Sequence, residues 1–339
     1  MSTEDYNSIL KEMGEITQIS GGFQKSLILQ VAVKNNLFSY LSQTDGGDIN
    51  NISNDFDWDK RSARIFLDSL AGIGFLKKEN GKYLNNKISE KYLVEGKEYY
   101  MGDIIKHYHN LLQGSWSGLE NTLKTGNPSV DRKVEKRSEE QLKNFILGMS
   151  NLAGILAKQI ISMLDISKYR RMLDVGGGPG TYPITFCEHN PDMKAVVFDL
   201  PDVMPILEGQ IKKYGLENRI ISIPGNLKKD DFGKSYDLVL IANIIHMLSE
   251  EEIIGLFKKS YDALDDGGDI FIKDFVPDDE RKGPEMPLIF AVNMLVGTEK
   301  GDSYTESQIS SFLEDSGFKG IESYPLNINS KLIKASKRI

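Results

Sequence analysis

The sequence has very little cysteine, and this absence limits the chemistry it can support. Cys187 is the only cysteine among 339 residues, which excludes an internal disulfide and a metal site built from several thiolates. His107 and His109 lie close together, but no further ligand stands at the spacing that a metal site requires. We therefore expect no bound metal.

Excess positive charge and long hydrophobic runs are also lacking. The 41 lysines and arginines are outnumbered by 49 aspartates and glutamates, and the net charge of −8 disfavours nucleic acid and anionic membranes as partners. No uninterrupted apolar run reaches the length of a membrane span, and the polar segment 1–11 does not resemble a signal peptide. The sequence predicts a cytoplasmic protein with no membrane partner.

The first 100 residues have the pattern of a small helical module. Apolar spacing predicts helices over 25–40, 48–56 and 60–71, and Asn80-Gly81 between two short arms predicts a type I′ hairpin. This order is typical of a winged-helix domain. Its candidate recognition helix carries Lys60 and Arg64, but nearby aspartates dilute the basic charge, so a structural or dimerising role is favoured over DNA binding.

Residues 101–165 are predicted to form a helical connector. A helix over 104–123 carries His109 and Trp116, which we interpret as packing or pocket-wall residues. Residues 126–136 have the composition of a linker. Ser138 then begins a long helix that reaches about residue 164.

Strands and helices alternate from Arg171 onward. This alternation predicts an α/β domain over 166–339, with a Rossmann-like, doubly wound and mostly parallel seven-stranded sheet. The predicted strands cover 171–175, 194–199, 219–223, 236–242 and 269–275, followed by a hairpin of 321–324 and 331–335. Predicted helices cover 203–214, 250–264 and 305–316.

The glycine-rich stretch after the first of these strands indicates a ligand site. Four glycines lie within 176–180, where backbone must approach a ligand closely, and the helix that follows directs free N–H groups at the same space. Asp199 ends the next strand, at the place where a carboxylate accepts the hydroxyls of a ribose. Thr181 replaces the third glycine of a dinucleotide fingerprint, which disfavours a nicotinamide dehydrogenase.

Ligands of open α/β sheets bind beyond the carboxyl ends of the strands. This rule selects as cofactor-binding candidates Gly176, Gly178, Asp199, Leu200, Gly225, Asn226, Leu227 and Asn243. His246 and Asp274 follow neighbouring strands at the same edge. A lone histidine is more often structural, but this position beside the glycine loop favours a chemical role for His246.

These residues together resemble the S-adenosylmethionine-dependent O-methyltransferases of the plant-type, acetylserotonin-methyltransferase-like family. The matching motifs are Leu173–Gly180, Phe198–Pro201, Asn243–His246, Leu264–Gly268 and the acid at Asp274. The resemblance spans nearly the whole chain, and the first 100 residues are similar to the family's winged-helix dimerisation domain.

The resemblance implies a homodimeric enzyme that transfers a methyl group to a hydroxyl of a small-molecule acceptor and releases S-adenosylhomocysteine. His246 would be the catalytic base, and Asp274 would orient it. The implied substrate pocket contains His109, Trp116, Met286, Phe290, Asn293 and Met294. The alternative for the methionine and phenylalanine stripe is an ordinary core.

The chain departs from the family pattern at four positions. These are Asn226 in place of an aspartate, Met247 after the histidine in place of an aspartate, Ser303 in place of a glutamate, and Asp274 in place of a longer glutamate. The cofactor prediction therefore has more support than the catalytic one. Two alternatives stay open: a C- or S-methyltransferase that needs no base, and a non-catalytic, cofactor-sensing winged-helix regulator.

Overall fold

A computed structural model describes residues 3–128 and 138–338 of the chain. It divides into two compact units, Met1–Asn110 and Leu111–Ile339, each with a hydrophobic core of its own. The finer division at residues 100 and 165 stays a prediction.

The first unit consists of short helices and a small antiparallel sheet. Its elements are α1 (Thr3–Ser20), α2 (Gly22–Lys34), α3 (Leu37–Gln43), β1 (Gly47–Asp48), α4 (Ile49–Asp55), α5 (Lys60–Gly72), β2 (Leu76–Glu79), β3 (Lys82–Asn85), α6 (Lys87–Tyr92) and the start of α7 (Gly102–Gln113). The strand order is β1-β3-β2. Asn80 and Gly81 both have positive φ, at 49° and 78°, as a type I′ turn requires, so the hairpin prediction is confirmed.

The single helix predicted over 25–40 is wrong, because the chain breaks it into α2 and α3. Asn36 adopts φ 57°, a left-handed conformation that ends a helix and that asparagine tolerates better than most residues. The break turns Phe38 fully into the core of the first unit, whereas Val31 on α2 stays 37% exposed. The two side chains therefore do not share one apolar face.

Helix α1 carries an apolar face that the first unit leaves uncovered. Its exposed side chains recur at helical spacing and are Tyr6, Ile9, Leu10, Met13, Ile16 and Ile19, the last of which is 84% exposed. An apolar patch of this extent is unusual on a monomer and is typical of an interaction surface.

The second unit contains a seven-stranded sheet with helices on both faces. Its elements are α8 (Leu119–Thr125), α9 (Glu139–Met163), β4 (Arg171–Val175), α10 (Thr181–His189), β5 (Lys194–Asp199), α11 (Met204–Lys213), β6 (Ile220–Pro224), β7 (Tyr236–Ala242), α12 (Glu250–Ala263), β8 (Leu264–Phe275), α13 (Glu285–Gly297), α14 (Glu306–Asp315), β9 (Lys319–Asn327) and β10 (Ser330–Ser336). Short 3₁₀ turns occupy Ser115–Gly118, Pro201–Val203 and Ile245–Met247.

The sheet order is β6-β5-β4-β7-β8-β10-β9. The first five strands are parallel, β10 pairs antiparallel with both β8 and β9, and β9 therefore has the same direction as the first five. Neighbouring residues along β4 enter different cores: Met172 packs on one face and Leu173 on the other. Burial on both faces explains why these strands are apolar throughout. The predicted Rossmann-like α/β fold is confirmed.

The helix predicted over 104–123 is also interrupted. Helix α7 ends at Gln113, Gly114 adopts φ −102° and ψ −107°, and the 3₁₀ turn Ser115–Gly118 precedes α8. Trp116 therefore lies on a turn and not on the helix of His109. Most of the predicted linker, 129–136, lies outside the described residues.

The strand predicted over 269–275 begins earlier than expected, because residues 264–268 form an irregular part of β8. Residues 264–268 belong to this strand, whose pairing with β7 shifts register between Tyr236 and Leu238. Gly267 has φ 83°, which glycine adopts without strain. The regular pairing with β7 resumes at Asp269, which is where the sequence placed the start of the strand.

The predicted start of α9 at Ser138 is confirmed by a capping box, in which the Ser138 hydroxyl accepts a hydrogen bond from the Gln141 N–H. Over Glu140–Met163 it is long and apolar enough, by length and composition alone, to cross a membrane. This finding qualifies the sequence prediction, but the core helix of a soluble protein has the same properties. Ala157 and Ile160 of α9 are fully buried in the core that covers one face of the sheet.

Candidate active site at the carboxyl ends of the parallel strands

The glycine loop between β4 and α10 is shaped by its backbone. Gly176, Gly178 and Gly180 have φ of 71°, 56° and 76°, in the left-handed region that glycine adopts without strain. A Cβ on Gly176 would lie 2.3 Å from the side chain of Ile244. A Cβ on Gly178 would meet nothing within 4 Å, so the loop borders open space at this point. The loop therefore has room for a ligand against its backbone.

Asp199 at the end of β5 faces this loop. One carboxylate oxygen accepts a hydrogen bond from the Gly178 N–H at 2.7 Å, and the other accepts one from the Leu200 N–H at 2.7 Å. Burial raises the pKa of this carboxyl, and the two N–H donors oppose the shift. Each oxygen keeps a second lone pair, so the held carboxylate can accept the two hydroxyls of a ribose.

The loop after β6 lies beside Asp199. The Gly225 N–H donates to the Asp199 carbonyl at 2.8 Å, and a Cβ on Gly225 would lie 2.3 Å from the Phe198 ring. The Asn226 side-chain oxygen accepts a hydrogen bond from the Lys228 N–H at 2.9 Å. Asn226 therefore shapes the turn and keeps one oxygen lone pair and its NH₂ for a ligand. Leu227 packs against the core, and its carbonyl accepts a hydrogen bond from the Lys259 ammonium.

His246 and Asp274 form a buried pair. The 3₁₀ turn after β7 carries His246, and its Nδ1 lies 2.7 Å from Asp274 Oδ1 on β8. The same carboxylate oxygen accepts the Phe275 N–H at 2.8 Å. A carboxylate accepts only, so Nδ1 carries a proton, and in the neutral ring Nε2 keeps its lone pair. Ser303, at the position of the family's second acid, is buried with its hydroxyl unpaired among the described residues.

Helix α13 supplies an aromatic wall next to the histidine. The Phe290 ring stands edge-on to the His246 ring at 4.8 Å and contacts the Phe275 ring at 4.6 Å. Trp116 Nε1–H donates to Asn293 Oδ1 at 3.0 Å, which ties the turn of Trp116 to the same helix.

The two predicted methionines of α13 have different surroundings. Met294 is buried. Met286 lines a shallow depression of about 300 Å³ together with Ile289 and Ile328.

His109 belongs to the first unit. Its Nδ1 lies 3.0 Å from the side-chain oxygen of Gln30, so this nitrogen donates and Nε2 is unprotonated in the neutral ring. Burial, with a smaller effect of Lys34, lowers the pKa of His109 and favours that neutral form.

Two buried charged residues next to the site, Asp174 and Lys273, are not among the predicted site residues. Asp174 on β4 is buried, and neither of its carboxylate oxygens has a hydrogen-bond partner among the described residues. Burial and the nearby Asp199 raise its pKa well above the usual value. Lys273 on β8 is buried, and burial lowers its pKa to about 8. A signal in the sequence could have found both residues, since each is a charged residue inside an apolar strand that is buried on both faces.

A ligand-bordering glycine loop, a carboxylate held for a ribose and a buried histidine–aspartate pair fit a methyltransferase that uses S-adenosylmethionine. No group of three or more His, Cys, Asp or Glu side chains able to hold a metal occurs within residues 3–128 and 138–338. A family model described as the O-methyltransferase domain matches residues 125–319. The chain therefore belongs to this O-methyltransferase family and is an S-adenosylmethionine-dependent methyltransferase.

Individual relatives cover most of the chain. The 3-hydroxy-5-methyl-1-naphthoate 3-O-methyltransferase of Streptomyces sahachiroi is 28% identical over 89% of this chain and 88% of its own. The L-tyrosine C(3)-methyltransferase of Streptomyces lavendulae is 28% identical over 86% and 82%. Human N-acetylserotonin methyltransferase, solved in complex with S-adenosylmethionine, is 21% identical and superposes over 97% and 98% with a TM-score of 0.88, a likeness that shows the fold.

Proposed function

We propose that this enzyme transfers a methyl group from S-adenosylmethionine to a hydroxyl oxygen of a small, phenol-like molecule, with His246 as general base. The observation that carries the proposal is the buried pair in which Asp274 holds Nδ1–H of His246 at 2.7 Å and leaves the Nε2 lone pair available. The similarity to a naphthoate 3-O-methyltransferase supports the choice of an aromatic hydroxyl.

The strand-end loops would hold the cofactor. The glycine loop at Gly176 and Gly178 would lie against it, Asp199 would accept the ribose hydroxyls, and the loop of Asn226 and Leu227 would border the adenine. When bound, S-adenosylmethionine supplies an electrophilic methyl group on a sulfonium. The protein has two remaining tasks, which are to align the acceptor oxygen and to remove its proton.

The His246–Asp274 pair suits the proton removal. A phenol has a pKa of about 10 and an imidazole about 6.5, so complete deprotonation before methyl transfer would be uphill by roughly 3.5 pKa units. Proton transfer to Nε2 of His246 as the oxygen–carbon bond forms avoids most of that penalty. Asp274 fixes the tautomer and stabilises the imidazolium that results.

The apolar face of α1 supports a second part of the proposal, a homodimer. This face includes Ile9, Leu10, Met13 and Ile16, all exposed in the single chain. A second copy of the chain would cover it with a matching apolar surface. Cytoplasmic localisation and the absence of a nucleic-acid partner stay predictions from the composition.

C-methylation on the same fold is the second candidate function. The similarity to an L-tyrosine C(3)-methyltransferase favours it. So does Met247, which follows the histidine where the family pattern described above has an aspartate. An activated aromatic carbon attacks the methyl group without first losing a proton from that carbon. A base would then contribute less to the rate-determining step.

Single-turnover transfer of an isotopically labelled methyl group to a panel of hydroxyarenes tests the proposal. Magnetic resonance of the product distinguishes a methoxy group from a methyl group on carbon. We expect a methoxy product, and His246→Ala should lower the rate about 10²- to 10⁴-fold without weakening S-adenosylhomocysteine binding. Asp274→Asn should lower the rate by a smaller factor. His189→Ala, at an exposed histidine of α10, should leave the rate unchanged. A carbon-methylated product, or equal rates for wild type and His246→Ala, would contradict the proposal.

A further inference from the structure

Lys273 is a buried lysine whose ammonium contacts an amide oxygen and an aromatic ring. It lies on β8 one residue before Asp274 and is 1% exposed. Its ammonium Nζ donates to Asn243 Oδ1 at 2.7 Å and stands 4.6 Å from the centre of the Phe275 ring. Within residues 3–128 and 138–338 no carboxylate forms an ion pair with it. A methionine would fill the same space without a buried charge, so packing alone does not explain a lysine here.

Asn243 is bound to Lys273 through both its backbone and its side chain. The Asn243 N–H donates to the Lys273 carbonyl at 2.8 Å, and Asn243 has φ 57°, a left-handed conformation that asparagine tolerates better than most residues. An ammonium can only donate hydrogen bonds, so the amide must present its oxygen to Nζ. The NH₂ group of Asn243 is therefore directed away from Lys273.

The sheet order indicates which end of the cofactor this NH₂ group meets. The loops after β5 and β6, with Asp199 and Gly225, suit the nucleoside, and β4 separates them from β7 in the order β6-β5-β4-β7. Asn243 follows β7, and its neighbour Ile244 packs against Gly176 of the loop after β4. A cofactor that extends from β6 across β4 therefore brings its amino-acid end to Asn243. Amide N–H donors suit the carboxylate at that end.

We propose that Lys273 is a positioning residue that fixes the amide of Asn243 with its NH₂ group toward the amino-acid carboxylate of the cofactor. This inference rests on the proposed function and adds to it a residue that determines recognition of the cofactor's amino-acid end. A carboxylate at this place would also favour the ammonium form of Lys273, whose pKa of about 8 in the free protein reflects its burial.

The test compares two ligands that share the nucleoside and differ in the amino-acid end. Calorimetry measures binding of S-adenosylhomocysteine and of 5′-methylthioadenosine, which lacks that end, to wild type and to Lys273→Met. We expect Lys273→Met to weaken S-adenosylhomocysteine about tenfold, since the amide can then rotate, and to leave 5′-methylthioadenosine unchanged. Lys337→Met is the matched control, because it removes a half-buried lysine that donates to the carbonyls of Tyr261 and Leu264. This control should change neither affinity.

A second variant tests the donors directly. Asn243→Asp keeps an acceptor for the Lys273 ammonium but replaces the N–H donors with an oxygen, so S-adenosylhomocysteine should weaken more than tenfold while 5′-methylthioadenosine does not. If Lys273 acts through Asn243, Asn243→Ala and the double variant with Lys273→Met should lose the same affinity. Asn243→Asp also decides the question if Lys273→Met does not fold.

Three outcomes would overturn the inference. Equal weakening of both ligands by Lys273→Met would indicate a general structural role. Unchanged S-adenosylhomocysteine affinity with a lower turnover would indicate that the amide faces the methyl acceptor. Wild-type protein that binds neither ligand would overturn the proposed function as well. This outcome is distinguishable from the first two, in which the wild-type protein binds S-adenosylhomocysteine.

Discussion

Gly301 offers a way to displace the catalytic histidine without changing its side chain. A Cβ added to Gly301 would lie 2.3 Å from the backbone oxygen of His246 and 2.5 Å from Thr298 Oγ1. Real Cβ atoms approach such atoms no closer than 3.0 Å, so in Gly301→Ala the backbone at position 301 or at His246 must move by about 0.7 Å. The contacted oxygen is backbone, which cannot rotate away as the end of a flexible side chain does. We expect the turn that carries His246 to shift.

The size of that shift sets the expected loss. The Nδ1 of His246 lies 2.7 Å from Asp274, and a displacement of 0.7 Å takes the pair beyond the usual range of about 3.2 Å for such a hydrogen bond. Misplacement of a reacting group on this scale can lower a rate about a hundredfold. Gly301→Ala should therefore lower the methyl-transfer rate about tenfold to a hundredfold and leave S-adenosylhomocysteine binding unchanged.

The assay is single-turnover methyl transfer, with calorimetry of S-adenosylhomocysteine to show that the cofactor site is intact. Gly255→Ala is the matched control, because Gly255 lies inside α12 and its added Cβ would meet nothing within 4 Å. That variant should keep the wild-type rate and gain about 0.5–1 kcal/mol of stability from helix propensity. A folded Gly301→Ala enzyme with the wild-type rate would refute the argument that the position of His246 limits the reaction.

Three further predictions follow from the cofactor site, the α1 surface and the buried acid. Asp199→Ala should weaken S-adenosylhomocysteine binding by about 1.5–3 kcal/mol in calorimetry, because it removes a charged acceptor of hydrogen bonds; wild-type affinity would contradict the ribose assignment. Ile16→Glu on the exposed face of α1 should convert a dimer to a monomer in light scattering at micromolar concentration, and a monomeric wild type would contradict the homodimer. Asp174 has a raised pKa, so the folded state binds a proton that the unfolded chain releases near pH 4; the free energy of unfolding should fall as pH rises from about 4 to the raised pKa. Asp174→Asn should flatten that fall in denaturant titrations, and an unchanged slope would refute a neutral Asp174.

The parts of the candidate site that could be predicted from the sequence are those whose residues are dictated by local backbone chemistry. Gly176 and Gly178 need positive φ, Asp199 ends a strand, and the sheet brings His246 next to Asp274. Each of these features depends on a short stretch of chain and on a general rule for parallel sheets.

Features that depend on single backbone angles or on partners distant in sequence were not predictable. Nothing in the apolar spacing of 25–40 showed that Asn36 would adopt the left-handed conformation that ends α2. Gly114 broke the next predicted helix with a different backbone conformation, at φ −102° and ψ −107°. Lys273 appears in the sequence as an ordinary charged residue, and only the pairing of β7 with β8 reveals that its ammonium meets Asn243, 30 positions away.

The place of β10 in the sheet has a consequence for synthesis of the chain. Strand β8 carries Asp274 and receives its outer neighbour only from β10, whose Lys331 pairs with Asp274 in antiparallel register. A nascent chain that has not yet reached residue 330 leaves one edge of β8 unpaired, with its backbone donors and acceptors open to other strands. The histidine–aspartate pair therefore gains its final support only when translation of the sheet is nearly complete. Fragments that stop earlier are expected to be inactive and prone to aggregate.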